Sequence, residues 1–447
     1  MYIVVIGLGQ VGRHVIRKLE AERHDVVAID MDKEAIDDVA EHHDIATLQG
    51  YGANPRVLRE ARVGEADLVV AVTDSDEVNF IAALASRQFG AKKVIARVQD
   101  SAFLDTEDGV QYGLLGVDVV INPQVLLARE IAKIARSHGA LEVIDLANDR
   151  IEVVKMIMAD KSRMLHKPLA KLPLPPNVLI AAVVRDGELF IPGGADVLLP
   201  EDRVYIAGLP EDVQAAEDLF TRRREAHRVV IVGGGVVGEA LARDLLRDKA
   251  TVLIIERRAA RARQLAEELE GATIVHGDGT QLQILEEEKV GTYDLFVAVS
   301  HEDEVNLMAG LLAKRAGADR TVVLAHRPDY TEIYRQLGID VVLSPRVVAS
   351  DHILRWARKT ELQSLTVLED GQAEVLEFVA TANSRVVGTS LRRLNLPRGT
   401  LLVAIVHGDE VIIPRGDSEV QPGDSVLVFT TTATKQNLAR LFGTKLL

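Results

Sequence analysis

Residues 3–12 read IVVIGLGQVG, and residues 229–238 read VVIVGGGVVG. In each, an apolar run suited to a buried strand ends in a Gly-x-Gly-x-x-Gly loop. The first loop then opens a helical pattern, Val11–Leu19. Strand, glycine loop and helix in that order suit a dinucleotide phosphate. The first glycine (Gly7, Gly233) makes the tight turn, and the second (Gly9, Gly235) lets backbone approach a pyrophosphate. The third (Gly12, Gly238) lets helix meet strand. The new helix also offers free N–H groups and the positive end of its dipole to an anion.

Asp30 follows 18 residues after Gly12, at the end of the run VVAID, and Glu256 closes the matching VLIIE. A carboxylate there accepts hydrogen bonds from ribose hydroxyls and repels a 2′-phosphate, which favours NAD or adenosine over NADP. The other role open to Asp30 is a helix N-cap. Strand-like segments Ile3–Ile6, Val26–Ile29, Ala46–Leu48, Leu68–Val72, Val94–Arg97 and Val117–Ile121 alternate with helical patterns such as Val78–Gln88. That alternation predicts a parallel sheet with right-handed crossovers. Ligands lie at the C-terminal ends of such strands, so Arg97 is a candidate phosphate contact. Thr73 and Asp74, matched by Ser300 and His301, edge the same crevice, with helix capping as their alternative.

The whole pattern occurs twice. Gly7 and Gly233 stand 226 residues apart, Asp-Glu-Val-Asn at 76–79 recurs at 303–306, and GVDVVINP at 116–123 recurs as GIDVVLSP at 338–345. Each half closes with a longer helix, Gln124–Ser137 in the first, and about 80 residues of α+β character. There, strands Val178–Val184, Glu188–Ile191 and Arg203–Ala207 are marked off by turn residues, and Leu401–Val406, Glu410–Ile413 and Ser425–Phe429 repeat them. The expected architecture is α/β: two Rossmann-like, doubly wound parallel-sheet domains at 1–138 and 228–358, each followed by a small α+β domain, at 139–221 and 359–447.

Composition narrows the chemistry. With no cysteine among 447 residues, thiolate nucleophiles, disulfides and iron–sulfur clusters are excluded. The net charge of −15 argues against a protein built to grip nucleic acid. The dense basic stretch, Arg222–Arg224 with Arg228, reads as a solvated linker. No apolar run approaches the ~18 residues that span a bilayer. The chain opens straight into strand-like Tyr2–Ile6, so no leader is expected. A P-loop would need lysine where Glu239 stands, and no HExxH helix or GxSxG elbow occurs. His42 and His43 read as a solvated helix end. His166 and His407, in the small modules, have no counterpart in the other copy, so a dehydrogenase proton donor is hard to find. No catalytic or metal-ligating residue is assigned. An NAD-dependent oxidoreductase, and a scaffold without ligands, are the competing readings.

The halves have diverged. Arg13 after the first loop adds positive charge near phosphates, whereas Glu239 after the second opposes them. Arg97 is matched by Leu324, and Asp278 by Tyr51. Arg257, Arg258, Arg261 and Arg263 either flank a phosphate or, the more common case, form the solvated face of a helix.

The order IGLGQVG (6–12), VVAID (26–30), AVTDSDEVN (71–79), VIARV (94–98) and VDVVINP (117–123), with its second copy, resembles the TrkA family, cytosolic regulators of Trk-type potassium uptake. The resemblance covers nearly the whole chain. It implies tandem RCK (KTN) lobes that bind NAD(H), and often ATP or ADP. It also implies a gating ring on the cytoplasmic face of a TrkH- or TrkG-like potassium channel subunit, with four chains supplying eight lobes. The nucleotide contacts it implies are Gly7, Leu8, Gly9, Gln10, Val11, Gly12, Asp30, Thr73, Asp74 and Arg97 in the first half. In the second they are Gly233, Gly234, Gly235, Val236, Val237, Gly238, Glu256, Ser300 and His301. Tyr51 and Leu324 depart from the family pattern.

Overall fold

The computed structural model describes residues 1–447 apart from 101–102, 104–115, 138, 148, 161, 222–226, 358–361, 409 and 444–447. The basic stretch Arg222–Arg224 thus lies outside the described residues. In chain order the first copy holds β1 (Tyr2–Ile6), α1 (Gln10–Ala21), β2 (Asp25–Asp30), α2 (Lys33–His42), β3 (Ala46–Gln49), α3 (Pro55–Glu60), β4 (Leu68–Ala71), α4 (Asp76–Phe89), β5 (Val94–Arg97), β6 (Val119–Ile121) and α5 (Pro123–Arg136). The small lobe follows as β7 (Ala140–Leu146), β8 (Ile151–Ile157), β9 (Val178–Arg185), β10 (Glu188–Phe190), β11 (Arg203–Gly208) and α6 (Pro210–Phe220). The second copy runs β12 (Arg228–Val232), α7 (Val236–Arg247), β13 (Thr251–Glu256), α8 (Ala259–Glu268), β14 (Thr273–His276), α9 (Leu282–Glu287), β15 (Leu295–Ala298), α10 (Asp303–Arg315), β16 (Thr321–Leu324), α11 (Tyr330–Gln336), β17 (Val341–Leu343) and α12 (Pro345–Ala357). Its small lobe holds β18 (Leu362–Leu368), β19 (Ala373–Val379), β20 (Thr400–His407), β21 (Glu410–Ile412), β22 (Ser425–Thr431) and α13 (Lys435–Phe442).

The chain divides into two units, one holding Met1–Ala132 with His227–Ala357, the other Lys133–Ala226 with Arg358–Leu447. The first unit contains two parallel sheets, ordered β3-β2-β1-β4-β5-β6 and β14-β13-β12-β15-β16-β17. Ile3 pairs with Val26 on one side and Leu68 on the other, so the strand order reverses at β1 and a crevice opens beyond its C-terminal end. Helices cover both faces, which is why β1 and β4 are apolar without alternation and Val4, Val5, Val69 and Val70 are fully buried. β6 starts two residues later than the apolar run predicts, because the Asp118 carboxylate accepts the Val94 N–H (2.8 Å) in place of a ladder bond.

Helix α1 buries Val11, Val15, Ile16 and Leu19 at helical spacing. Its core also contains Ala349, Ile353 and Leu354 of α12, so the last helix of the second parallel-sheet lobe completes the core of the first.

The second unit contains two antiparallel sheets, β10-β9-β11-β8-β7 and β18-β19-β22-β20-β21. They share one core, in which Tyr205 packs against Phe429 at 5.8 Å. The hairpin β7–β8 goes beyond the strands expected from turn signals. Its turn has no Pro or Asp-Gly pair and instead places Ala147 and Asp149 in the left-handed region.

Candidate functional site

Both glycine loops have the same steric logic. Gly7 has φ +102°, and a Cβ there would lie 2.7 Å from the Thr73 nitrogen. A Cβ on Gly12 would lie 1.9 Å from the Gly7 oxygen. Gly233 (φ +104°) and Gly238 (2.0 Å from the Gly233 oxygen) repeat the pair. These four glycines are required by the fold. The middle glycines are different: among the described residues nothing lies within 4 Å of a Cβ built on Gly9, and only the His301 Nε2, at 3.8 Å, approaches one on Gly235. The fold leaves space in front of them for a ligand that must touch backbone.

The helices behind the loops start without side-chain caps. The first helical bonds run from Arg13 N to Gly9 O (3.1 Å) and from Glu239 N to Gly235 O (2.9 Å). The N–H groups of Gln10, Val11 and Gly12, and of Val236, Val237 and Gly238, therefore have no helical acceptor and face outward from a helix end whose dipole is positive. The N–H groups of Leu8 and Gly234 are already engaged. Leu8 donates to Asp30 Oδ2 (2.6 Å) and Gly234 to Glu256 Oε2 (2.7 Å). Each acid thus pins its glycine loop. Asp30 does not cap α2, since that N-cap is Asp32, which accepts from Glu34 N (3.0 Å). Glu256 is only 5% exposed. Burial alone would raise its pKa, but the N–H groups of Arg258 and Gly234 and the Arg258 guanidinium outweigh it and hold the carboxyl below its usual range.

The opposite wall is built by the repeated Asp-Glu-Val-Asn. Asn79 is fully buried and donates to the carbonyls of Thr73 (3.0 Å) and Arg97 (2.9 Å), while its own oxygen accepts the Thr73 N–H (2.8 Å). Asn306 clamps Ser300 and Leu324 in the same way. Asp76 receives the N–H groups of Gln99 and Asp100, and Asp303 those of His326 and Arg327. These acids and amides fix the ends of β4, β5, β15 and β16. The repeat of the motif was the signal for them, but a repeat does not reveal a role.

Thr73 and Asp74 are not helix caps, because Ser75 caps α4. Asp74 is exposed; its carboxylate lies 3.4 Å from the Arg97 Nη1, and its backbone carbonyl accepts from Gln99 Nε2 (2.9 Å). The Arg97 side chain is largely covered, and its Nε is buried with no hydrogen-bond partner among the described residues. Ser300 bonds locally to Glu302. The His301 ring stands 6.3 Å from that of His326, at the edge of the second crevice.

Residues 3–123 and 229–345 match the TrkA-N domain, and residues 153–221 and 375–443 match the TrkA-C domain. The Trk system potassium uptake protein TrkA homolog of Archaeoglobus fulgidus is 37% identical over 442 residues, 99% of this chain and 100% of that one. The TrkA protein of Halomonas elongata is 33% identical, covering 99% of this chain and 98% of its own. This chain belongs to the TrkA family. Among solved structures, the GsuK RCK domain (TM-score 0.63, 19% identity, 99% of this chain and 95% of that one) and the GsuK channel bound to NAD (0.64, 19%, 99% and 79%) share its fold.

Within this TrkA-family framework the two crevices differ in charge. Arg13 donates from Nε to the Leu8 carbonyl (2.8 Å) and pairs with Asp38. Glu239 is held by Arg243 (2.7 Å) and Arg261 (2.5 Å), which overcome its burial and keep its carboxyl below the usual range. Arg257 reaches Glu302 (3.0 Å), Arg258 reaches Glu256 (3.2 Å), and Arg263 is exposed. The expectation of a solvated arginine face thus fails at Arg261, which is 17% exposed and lies against the glycine loop. Of the solvated helix end expected at His42 and His43, His42 is exposed, but His43 is mostly covered and bonded to Glu20 (2.5 Å). His407 binds the buried Asp424 (2.6 Å), and in the other copy Arg185 binds Asp202 (2.7 Å). His407 therefore closes with a hydrogen bond the turn that Arg185 closes with an ion pair in the first lobe.

Proposed function

We propose that this chain is a nucleotide-sensing regulatory subunit that gates a Trk-type potassium transporter in the membrane. NAD(H), and ATP or ADP, are its ligands at two crevices. The observation that carries the reading is the open space before Gly9 and Gly235, each at an uncapped helix start beside a loop-bound carboxylate. The names of its relatives, Trk system potassium uptake proteins, supply the transport role. A similarly folded channel bound to NAD supports the choice of ligand.

In the first crevice the N–H groups of Gln10, Val11 and Gly12 receive the phosphates, Asp30 receives the ribose hydroxyls, and Arg97, with Thr73 and Asp74, lines the far edge. In the second, Val236, Val237, Gly238, Glu256, Ser300 and His301 take those places. Asp30 and Glu256 already hold the loop, so sugar and phosphate are recognised by one connected element. Ligands of different charge stabilise different arrangements of the lobes, and only a difference in affinity between arrangements does work on a partner. A coupling of ~1–3 kcal/mol changes partner behaviour ~5–150-fold.

In this reading the lobes are 1–138, 139–221, 228–358 and 359–447. Among the described residues no helix is long and apolar enough to cross a membrane. We place the chain in the cytoplasm, docked as a homotetrameric ring on a TrkH- or TrkG-like subunit. Calorimetry of nucleotide-stripped protein with NAD, NADH, ATP and ADP tests the ligand, and absence of heat with all four refutes it. Potassium uptake should fall when the gene is deleted in a host without a second copy, and normal uptake refutes the transport role.

A further inference from the structure

We propose that Arg261 is the phosphate-binding cation of the second crevice, where it takes the place that Arg13 holds in the first although it comes from a different helix. The inference rests on the reading of both crevices as nucleotide sites and names how the second recognises its ligand.

Position 13 lies in the first turn of α1, and Glu239 occupies the same place in α7. By sequence alone the second crevice has a carboxylate where the first has a guanidinium, and it should repel an anion. The structure restores the cation from the neighbouring helix. Arg13 sends Nε to the carbonyl of Leu8 (2.8 Å), and Arg261 of α8 sends Nε to the carbonyl of Gly234 (2.7 Å). Leu8 and Gly234 both follow the first glycine of their loops, so the same donor atom meets the same carbonyl in both copies. The acid has moved the other way. Arg13 pairs with Asp38 on α2, and Arg261 pairs with Glu239 on α7 at 2.5 Å. The ion pair joining the glycine-loop helix to the next helix is conserved in place and reversed in sign. Position 261 corresponds to Ala35 in the first copy, so no residue-by-residue match of the halves reveals the substitution.

The surroundings allow Arg261 to change partner. Glu239 also accepts from Arg243 Nε (3.0 Å) and Nη2 (2.7 Å), so it keeps a counter-charge when Arg261 turns to a phosphate. The other acid facing Arg261 is Glu268, at 3.9 Å. Arg261 is mostly covered, and a guanidinium there forms charge-assisted bonds stronger than those of an exposed one. The ligand class is a nucleotide with a di- or triphosphate, or the pyrophosphate of a dinucleotide. Its binding exchanges an α7–α8 ion pair for a ligand contact, which ties the position of α8 to occupancy.

The test is titration of ADP into nucleotide-stripped, full-length protein, carried out in a Gly9→Asp background in which the second crevice is the main binder. Arg261→Ala should weaken ADP roughly 10-fold or more, the loss of a charged hydrogen bond. Glu239→Gln frees Arg261 and should tighten ADP several-fold, and that gain should vanish in the Glu239→Gln/Arg261→Ala double variant. A role confined to holding the loop predicts no gain from Glu239→Gln. Unchanged ADP affinity in Arg261→Ala, no gain in Glu239→Gln, or a gain that persists in the double variant each overturns the assignment. ADP binding to the wild type but not to the background refutes it for this crevice alone. No binding to the wild type refutes the nucleotide reading as well. Thermal melts of each variant confirm that the fold is intact.

Discussion

Replacing Gly9 by aspartate separates ligand binding from folding. A Cβ built on Gly9 meets no atom of the described residues within 4 Å, and its φ of −67° and ψ of −168° are extended backbone open to any residue. Gly9 is also the N-cap of α1, where aspartate is among the best residues and exceeds glycine by a few tenths of a kcal/mol, so the unliganded variant should be at least as stable as the parent. The same carboxylate turns against an anion. At about 4 Å from a phosphate, with an effective dielectric of ~20, the repulsion is ~4 kcal/mol. The carboxylate also takes up an N–H of the first turn that the phosphate needs, worth ~1 kcal/mol. Even after discount for solvent, a loss of ~3 kcal/mol, on the order of 100-fold in affinity, is expected. Calorimetry with NADH should show the first-crevice event removed and the second retained. Gly9→Asn, equal in size and without the charge, should lose much less. Gly12→Ala should do the reverse and lower the melting temperature, because its Cβ meets the Gly7 oxygen at 1.9 Å. If Gly9→Asp binds NADH as the parent does while remaining folded, the phosphate does not sit at this helix start.

Asp30→Ala should weaken first-crevice binding about 10-fold and leave the Leu8 N–H without its 2.6 Å acceptor; a gain in affinity would show that the carboxylate opposes the ligand. Asn79→Ala and Asn306→Ala should each cost ~2–4 kcal/mol in denaturant unfolding, since both amides are fully buried and clamp two strand ends; unchanged midpoints refute that role. In the small-lobe unit, burial, with Glu217 and Asp145 nearby, pushes the Glu152 carboxyl from 4.5 up to about 7. The folded state then holds this proton more tightly than the unfolded chain, so stability from this group is present below pH 4.5 and is lost as pH rises towards 7. Glu152→Gln should remove that slope, measured as the difference between wild type and variant across this range, and a flat difference refutes it.

Much of the architecture is legible locally. The two glycine loops, the strand runs and the acids at 30 and 256 depend on neighbours a few residues away, where apolar period and turn chemistry dominate. Duplication made that reading firmer, because independent divergence kept the glycines and the strand-end acids together. The small lobes were less legible, since the turn Ala147–Arg150 uses left-handed backbone at ordinary residues and leaves no Gly or Pro mark.

What the chain could not declare by itself is which surfaces meet. Only the fold shows that Ala349, Ile353 and Leu354 of α12 fill the core beneath α1 of the other copy. Asn79 and Asp76 are ordinary polar residues at a helix start until packing buries them against the ends of β4 and β5. Glu239 looks like a barrier to phosphate until α8 lays Arg261 beside it. Local pattern fixes where backbone turns and which face is apolar. Charge balance and core sharing depend on distances between segments far apart in the chain, and those arise only when the helices pack.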